Sequence, residues 1–156
     1  MRAVGMQVTA KAEYAVRAAT ALASAGPGPV KSEQIAAAHG IPPRFLHNIL
    51  GALTRAGILS SLRGADGGYE LTRDPARITV ADVIRAVEGP FAAGGGPDPA
   101  GAPSGADDPR AEPDALRAVW ALLRANERAV LEAVTLADLT AGRLRGLAPL
   151  GRVPLR

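Results

Sequence analysis

Five residues near the middle of the chain have the types and spacing of a surface that reads nucleic-acid bases. They are Arg44, His47, Asn48, Gly51 and Arg55, and we name them the polar face. Residues three, four, seven and eleven positions apart lie on one side of a helix. A guanidinium group can bind guanine through two hydrogen bonds, and a carboxamide can bind adenine in the same way. On an isolated helix such residues are more often only the solvated side, so the neighbouring elements must decide between the two interpretations.

A helix-turn-helix is predicted around the polar face. The first helix runs from Thr9 to Ala25, with Thr9 as its N-cap. Ser32 is expected to cap a short second helix over Glu33–His39, and Gly40 suits the left-handed residue that ends it. The third helix begins at Pro42–Pro43 and runs to about Ala56, which places the polar face on the second helix of the motif.

A β-hairpin is predicted directly after the third helix. Ile58–Leu62 and Tyr69–Thr72 have strand-like patterns, and Arg63–Gly68 between them is a glycine-rich loop. Arg63 could approach a sugar-phosphate wall or enter a minor groove. An ordinary turn is the alternative, and Asp66 would repel phosphate. The order of elements nevertheless predicts a mainly α fold with a small β-hairpin wing, and this context favours base reading by the polar face.

Three residues of the first helix could contact the DNA backbone. Lys11, Tyr14 and Arg17 follow one another at intervals of three and therefore share a face. Such side chains can bind phosphates and fix the register of a protein on DNA. Tyr14 could equally belong to the core with its hydroxyl at the surface, and the sequence leaves Lys11 and Arg17 undecided.

The second half of the chain is predicted to hold a helix, a linker and a long amphipathic helix. Thr79 and Asp82 resemble a capping box for a helix over Val80–Glu88. The long helix spans Asp114–Val134, and Thr135 caps a last helix from Leu136 to about Leu144. The expected organisation is a DNA-binding domain over 6–88, a Gly/Pro-rich flexible linker over 89–113, a helical dimerisation segment over 114–145 and a frayed tail over 146–156.

The apolar side of the long helix is expected to form a dimer interface. Only 3% of the residues are aromatic, so the core of one copy is thin and a partner would add buried surface. Trp120 could alternatively pack against the first helix or stack on a ligand. The predicted interface residues are Leu116, Val119, Trp120, Leu123, Val130 and Leu131.

Composition restricts the function classes. The net charge is +3, and the first 73 residues carry eight Lys and Arg against four Asp and Glu, which favours a nucleic-acid partner. The absence of cysteine excludes disulfides and thiolate metal sites from this chain. We found no phosphate-binding loop, nucleophile elbow or paired-His metal motif, and Gly94–Gly96 lacks the strand and helix of a nucleotide site. No signal peptide or membrane span is apparent, so a cytoplasmic protein without catalytic activity, metal or cofactor is expected.

Several segments together resemble the Rrf2 family of bacterial winged helix-turn-helix regulators, the group of the IscR and NsrR type. The resemblance covers roughly residues 6–144 apart from the linker. The matching segments are Val8–Arg17, Ile41–Leu46, Leu53–Leu59, Arg63–Tyr69, Ile78–Ile84 and Thr135–Leu139.

The resemblance implies a homodimer that is held by the long C-terminal helix and binds a palindromic operator on double-stranded DNA. Carried over by position, Arg44, His47 and Asn48 would contact bases, Arg63 would be the wing contact, and Lys11 and Tyr14 would contact the backbone. Family sensors hold an iron–sulfur cluster through cysteines in the segment that matches 89–113, which this chain lacks. A cluster-free repressor is therefore expected, with an unknown small-molecule or protein effector as a possible partner. Two alternatives stay open: a winged-helix module that binds another protein, and a regulator whose DNA binding is gated by a small molecule.

Overall fold

A computed structural model describes residues 8–89 and 114–143, and within them it shows a mainly helical fold with one β-hairpin. This confirms the predicted fold class. The expected linker beyond Gly89 and the expected tail lie outside the described residues. The elements are α1 (Ala10–Ser24), α2 (Ser32–His39), α3 (Pro43–Arg55), β1 (Leu59–Leu62), β2 (Gly68–Leu71), a 3₁₀ turn (Pro75–Arg77), α4 (Val80–Glu88), α5 (Asp114–Ala133) and α6 (Leu136–Thr140).

Most helix ends follow the predicted capping. The Thr9 hydroxyl accepts a hydrogen bond from the Ala12 N–H at 3.0 Å, and Thr79 and Asp82 form the expected reciprocal pair. Gly40 ends α2 with a φ of 61°, in the left-handed region. The prediction for Ser32 was wrong, because α2 begins at Ser32 and its N-cap residue is Lys31. The Gln34 side chain there accepts a hydrogen bond from the Lys31 N–H at 3.2 Å, which satisfies a donor that precedes the helix.

The core lies between α1, α2, α3 and α4. Small alanines on one side of α1 allow α3 to approach closely, and Leu22 fills the space beside them. The side of α3 that faces the core is an apolar stripe, in which Leu46, Ile49, Leu50 and Leu53 are all at most 2% exposed. Burial of each such side chain contributes roughly 2 kcal/mol to stability. Because this stripe faces inward, the opposite side of α3 faces outward.

The predicted hairpin is present, with strands that differ from the predicted bounds by one residue, and it makes one backbone contact that the sequence did not predict. β1 and β2 pair antiparallel, with Leu59 opposite Leu71 and Leu62 opposite Gly68. Val30, which precedes α2, forms an additional bridge with Tyr69 through two backbone hydrogen bonds of 2.8 and 2.9 Å. A Cβ atom on Gly68 would lie 2.5 Å from the Val30 carbonyl oxygen, so this approach requires glycine. The wing is thereby attached to the start of the helix-turn-helix.

The end of α5 is attached to α4. The Val80 N–H donates to the Val134 carbonyl and the Leu136 N–H donates to the Ile78 carbonyl, both at 2.9 Å. Arg85 on α4 forms an ion pair with Glu132 on α5. Leu136 is fully buried. These contacts fix the C-terminal end of the long helix on the winged domain.

Candidate nucleic-acid interface

The polar face of α3 is exposed as predicted from its helical spacing. Arg44, His47, Asn48 and Arg55 are exposed, and Gly51 is half-buried. Among the described residues, none of these four side chains takes part in a hydrogen bond or ion pair. Long donors that no described residue engages can meet a ligand. The face therefore offers guanidinium, imidazole and carboxamide groups to the outside.

A groove of about 540 Å³ runs along this face, between α3 on one side and α1 and α4 on the other. Gly51 lies on its floor, where a Cβ atom would be 3.4 Å from Nη1 of Arg55. That separation is an ordinary van der Waals distance to the end of a flexible side chain, so position 51 has room for a methyl group. The remaining lining residues are Lys11, Phe45, His47, Asn48, Ala52, Ala86 and Val87.

Lys11 is positioned by α4. Its Nζ donates a hydrogen bond to the Val87 carbonyl oxygen in the last turn of that helix, and its side chain is half-buried at the groove. A cation at this place is favoured by the negative end of the helix dipole. An ammonium group has three donors, so the Val87 contact leaves two of them for other acceptors.

Tyr14 and Arg17 form a short stack that leads to α3. The Tyr14 ring is half-buried and its centroid lies 5.9 Å from that of Phe45, with the ring planes at 55°. The Arg17 guanidinium lies 5.9 Å from the Tyr14 centroid and also pairs with Glu13 on the same helix. Tyr14 thus packs on the core, which was the alternative interpretation of that residue. Arg17 is exposed beside it.

Arg63 follows β1 directly and is exposed at the start of the hairpin loop. Its side chain has no hydrogen bond or ion pair among the described residues. Asp66 is exposed in the same loop. A Cβ atom on Gly67 would lie 2.2 Å from the Leu62 carbonyl oxygen, so the turn depends on this glycine. The loop therefore presents one cation and one anion on a tight turn.

Phe45 was missed by the sequence reasoning. It is 48% exposed and lines the groove beside Asn48. The spacing of α3 gives no signal for it, because position 45 lies four residues before Ile49 and seven before Ala52, and both of these residues are buried.

A second candidate surface is the outer side of α5. Four of the six predicted interface residues are exposed, whereas Trp120 and Leu131 are half-buried on the neighbouring side of the helix. Leu122, which the sequence reasoning omitted, is 65% exposed. We name the exposed set the α5 stripe; it consists of Leu116, Val119, Leu122, Leu123 and Val130.

Residues 8–89 and 114–143 contain neither a metal-ligand cluster nor a membrane-spanning helix. No group of three or more His, Cys, Asp or Glu side chains there is placed to hold a metal ion. In the same residues, no helix is long and apolar enough to span a bilayer.

Comparison with known proteins places these features in context. A family model described as "Rrf2: Iron-dependent Transcriptional regulator" matches residues 8–142. Rv1287 of Mycobacterium tuberculosis, which carries a provisional HTH-type transcriptional regulator name, is 46% identical over 144 residues, or 89% of this chain and 84% of that protein.

Two solved structures are similar to this fold. CymR of Bacillus subtilis, titled the global cysteine regulator of that organism, superposes with a TM-score of 0.72 at 30% identity, over 88% of this chain and 98% of that one. The structure of T. potens IscR superposes with a TM-score of 0.71 at 32% identity, over 90% of each chain. The winged-helix architecture is therefore shared with both.

The iron of the family description does not fit the donors of this chain. An iron–sulfur cluster is bound through cysteine thiolates, and the sequence contains no cysteine. The exposed cations and the carboxamide of the polar face are, by contrast, suited to nucleic acid.

Proposed function

Because the chain belongs to the Rrf2 family of DNA-binding transcriptional regulators, we propose that it is a repressor that binds a palindromic operator as a homodimer, without a metal cluster. Its relatives are regulators and not enzymes. The operator symmetry, the pairing of two copies and the sign of regulation are parts of this proposal.

The observation that carries the proposal is the exposed polar face of α3, whose long side chains have no partner within residues 8–89 and 114–143. The second helix of a helix-turn-helix enters the major groove with its N-terminal residues against the base edges. Arg44, His47 and Asn48 occupy the first two turns of α3 and are exposed there. In this position Arg44 would bind guanine and Asn48 would bind adenine, each through two hydrogen bonds.

Phosphate contacts would surround the base contacts. Lys11 and Arg55 line the groove beside α3, Arg17 lies on α1, and Arg63 begins the wing loop. Contacts of this kind hold a protein in register on the duplex but carry little sequence information. The side chains that would select the base sequence are thus different from those that would bind the DNA backbone.

The α5 stripe supports pairing of two copies. Leu116, Leu123 and Val130 are seven residues apart, and Val119 lies three residues after Leu116, which is the spacing of a helix–helix seam. All four are more than a third exposed in the single chain. A contiguous apolar surface of this kind marks an interaction site. Two copies related by a twofold axis would present two α3 helices to a palindrome with half-sites about one helical turn apart.

Repression and a cytoplasmic location follow from this picture as parts of the proposal. A dimer bound across a promoter blocks transcription by occupancy alone, and it must be located where the chromosome is. A reporter gene behind the operator should be expressed more strongly when the regulator is deleted.

A ligand-gated regulator is a second candidate, favoured by one cavity. A pocket of about 670 Å³ lies between α2, the turn and α3, and it falls within the usual size range of small-molecule sites. Its wall is mostly apolar and it reaches the wing at Tyr69 and the polar face at His47. A molecule bound there would sit beside the DNA-reading helix. If this candidate is correct, one metabolite should release the protein from its operator. Ala36→Trp, which fills the pocket, should make operator binding insensitive to that metabolite.

The salt dependence of DNA binding tests the proposed function. Four cations per copy, in a dimer, would give a slope of log affinity against log salt of about −7, at about 0.9 per phosphate contact. The measurement uses fluorescence anisotropy on a fragment from the upstream region of the regulator's own gene. A flat salt response with no footprint on any fragment would overturn DNA binding and favour a module that binds another protein.

A further inference from the structure

Phe45 differs from every other large apolar residue of α3. Leu46, Ile49, Leu50 and Leu53 are at most 2% exposed, whereas Phe45 is 48% exposed. A single exposed apolar side chain needs no explanation by itself. Its position is what requires one, because it lies within the groove that also contains Asn48 and Lys11.

The Phe45 ring is held in place by α1. The centroid of the Tyr14 ring lies 5.9 Å from that of Phe45, and the Arg17 guanidinium lies over the Tyr14 ring, 5.9 Å from its centroid. Arg17 is in turn paired with Glu13. A side chain that is supported in this way loses little conformational freedom when it binds, so its contact is stronger than that of a freely rotating one.

The ring lies at the edge of the polar face nearest to α1. Successive helical residues are rotated by about 100°, which places Phe45 about 60° around the helix from Asn48. When Asn48 meets a base edge in the major groove, the phenyl ring therefore faces the neighbouring base pair.

The chemistry of the major groove leaves one partner for a phenyl ring. Guanine, adenine and cytosine present hydrogen-bond donors or acceptors there, and the thymine C5-methyl group is the one apolar group on a base edge. A phenyl ring has no donor or acceptor for the polar atoms, and covering them would leave them unsatisfied.

We propose that Phe45 reads the 5-methyl group of a thymine next to the base pair that Asn48 contacts in each half-site. This inference rests on the proposed function, since it assumes that α3 lies in the major groove. It makes Phe45 a specificity-determining residue and predicts that the operator is read partly through methyl groups.

The test replaces single thymines by deoxyuridine, which removes the methyl group and keeps the base pair. An operator is first selected from random duplexes by the full-length protein. In each half-site there should be one thymine whose replacement by uracil lowers the affinity for the protein by about fourfold. This is the effect expected for the loss of one buried methyl contact. Phe45→Ala should bind thymine and uracil duplexes equally, whereas Arg44→Ala should retain the fourfold ratio despite weaker binding.

The outcomes separate this inference from the proposed function. If an operator is selected but no uracil substitution weakens binding, or if the ratio persists in Phe45→Ala, Phe45 does not read a methyl group and the proposed function stands. If no duplex is selected, both fail. Should Phe45→Ala not fold, as judged by circular dichroism, Phe45→Ser replaces it in the same comparison, and Phe45→Leu, which keeps an apolar tip, should preserve part of the uracil penalty.

Discussion

Lys11 of α1 donates a hydrogen bond to the backbone carbonyl oxygen of Val87 in the last turn of α4. The two residues are 76 positions apart in sequence, yet together they form one wall of the groove beside the polar face. The same ammonium group therefore stabilises the end of α4 and places a positive charge in the groove, where the proposed function would bring a phosphate.

Lys11→Met should reveal both roles. Loss of the hydrogen bond to the α4 terminus should lower the free energy of unfolding by about 1 kcal/mol, as measured by urea denaturation. Loss of the charge from both copies should also make the salt slope of DNA binding shallower by about 2.

The matched control for Lys11 is Lys31→Met. The hydrogen bond that Lys31 makes to Gln34 comes from its backbone N–H, so removal of the side-chain charge should leave stability nearly unchanged. A Lys11→Met protein that is less stable but has an unaltered salt slope would show that Lys11 is only structural.

Arg44→Ala should relax base preference. The side chain is exposed and without a partner among the described residues, so its loss should not affect folding. Loss of the two hydrogen bonds to guanine should reduce the discrimination against other bases by about 1–3 kcal/mol at one position of each half-site. The discrimination at the other positions should change much less. Competition between the operator and single-base variants measures this. Equal weakening on every sequence would contradict a reading role, and Arg77→Ala, an exposed cation on the 3₁₀ turn, serves as the control.

Gly68→Ala should disturb the wing. An added Cβ atom would lie 2.5 Å from the Val30 carbonyl oxygen, so the bridge between Val30 and Tyr69 must open. We expect a loss of about 1–3 kcal/mol in stability together with weaker DNA binding, because Arg63 would lose its fixed position. The control is Ala65→Ser in the exposed loop. If Gly68→Ala melts at the same temperature as the unmodified protein, the bridge between Val30 and Tyr69 does not contribute to stability.

Val119→Asp should separate the two copies of a dimer. The residue is 56% exposed in the α5 stripe, and a carboxylate at a paired apolar seam would lose its hydration without gaining a partner. Sedimentation should show a monomer, with a large loss of operator affinity. Ala121→Asp carries the same charge on the opposite, exposed side of α5 and should remain dimeric. If both variants sediment as the unmodified protein does, the stripe is not the interface.

Local patterns in the sequence were sufficient for the elements and for the exposure of the polar face. Periodicity determines which side of α3 is buried, and Thr9, Thr79 and Gly40 determine where helices begin or end within a few residues. Such features depend on residues within one or two helical turns, so they can be predicted from the local sequence.

The features that the sequence did not reveal are contacts between distant segments. The bridge from Val30 to Tyr69, the hydrogen bond from Lys11 to Val87 and the stack of Tyr14 on Phe45 each join different elements. Their formation depends on the packing angle of the helices, which no local spacing encodes. The exposure of Phe45 belongs to the same class, because α1 supports that ring and leaves half of it uncovered.

The most direct measurement is methylation interference on the selected operator, since methylation of guanine N7 blocks the major groove alone. If two copies of α3 occupy two successive major grooves, interference should fall in two clusters about 10–10.5 base pairs apart, and Arg44→Ala should abolish it at one guanine in each cluster. A single cluster, or interference only from adenine N3 in the minor groove, would contradict the placement of the polar face of α3 against the bases.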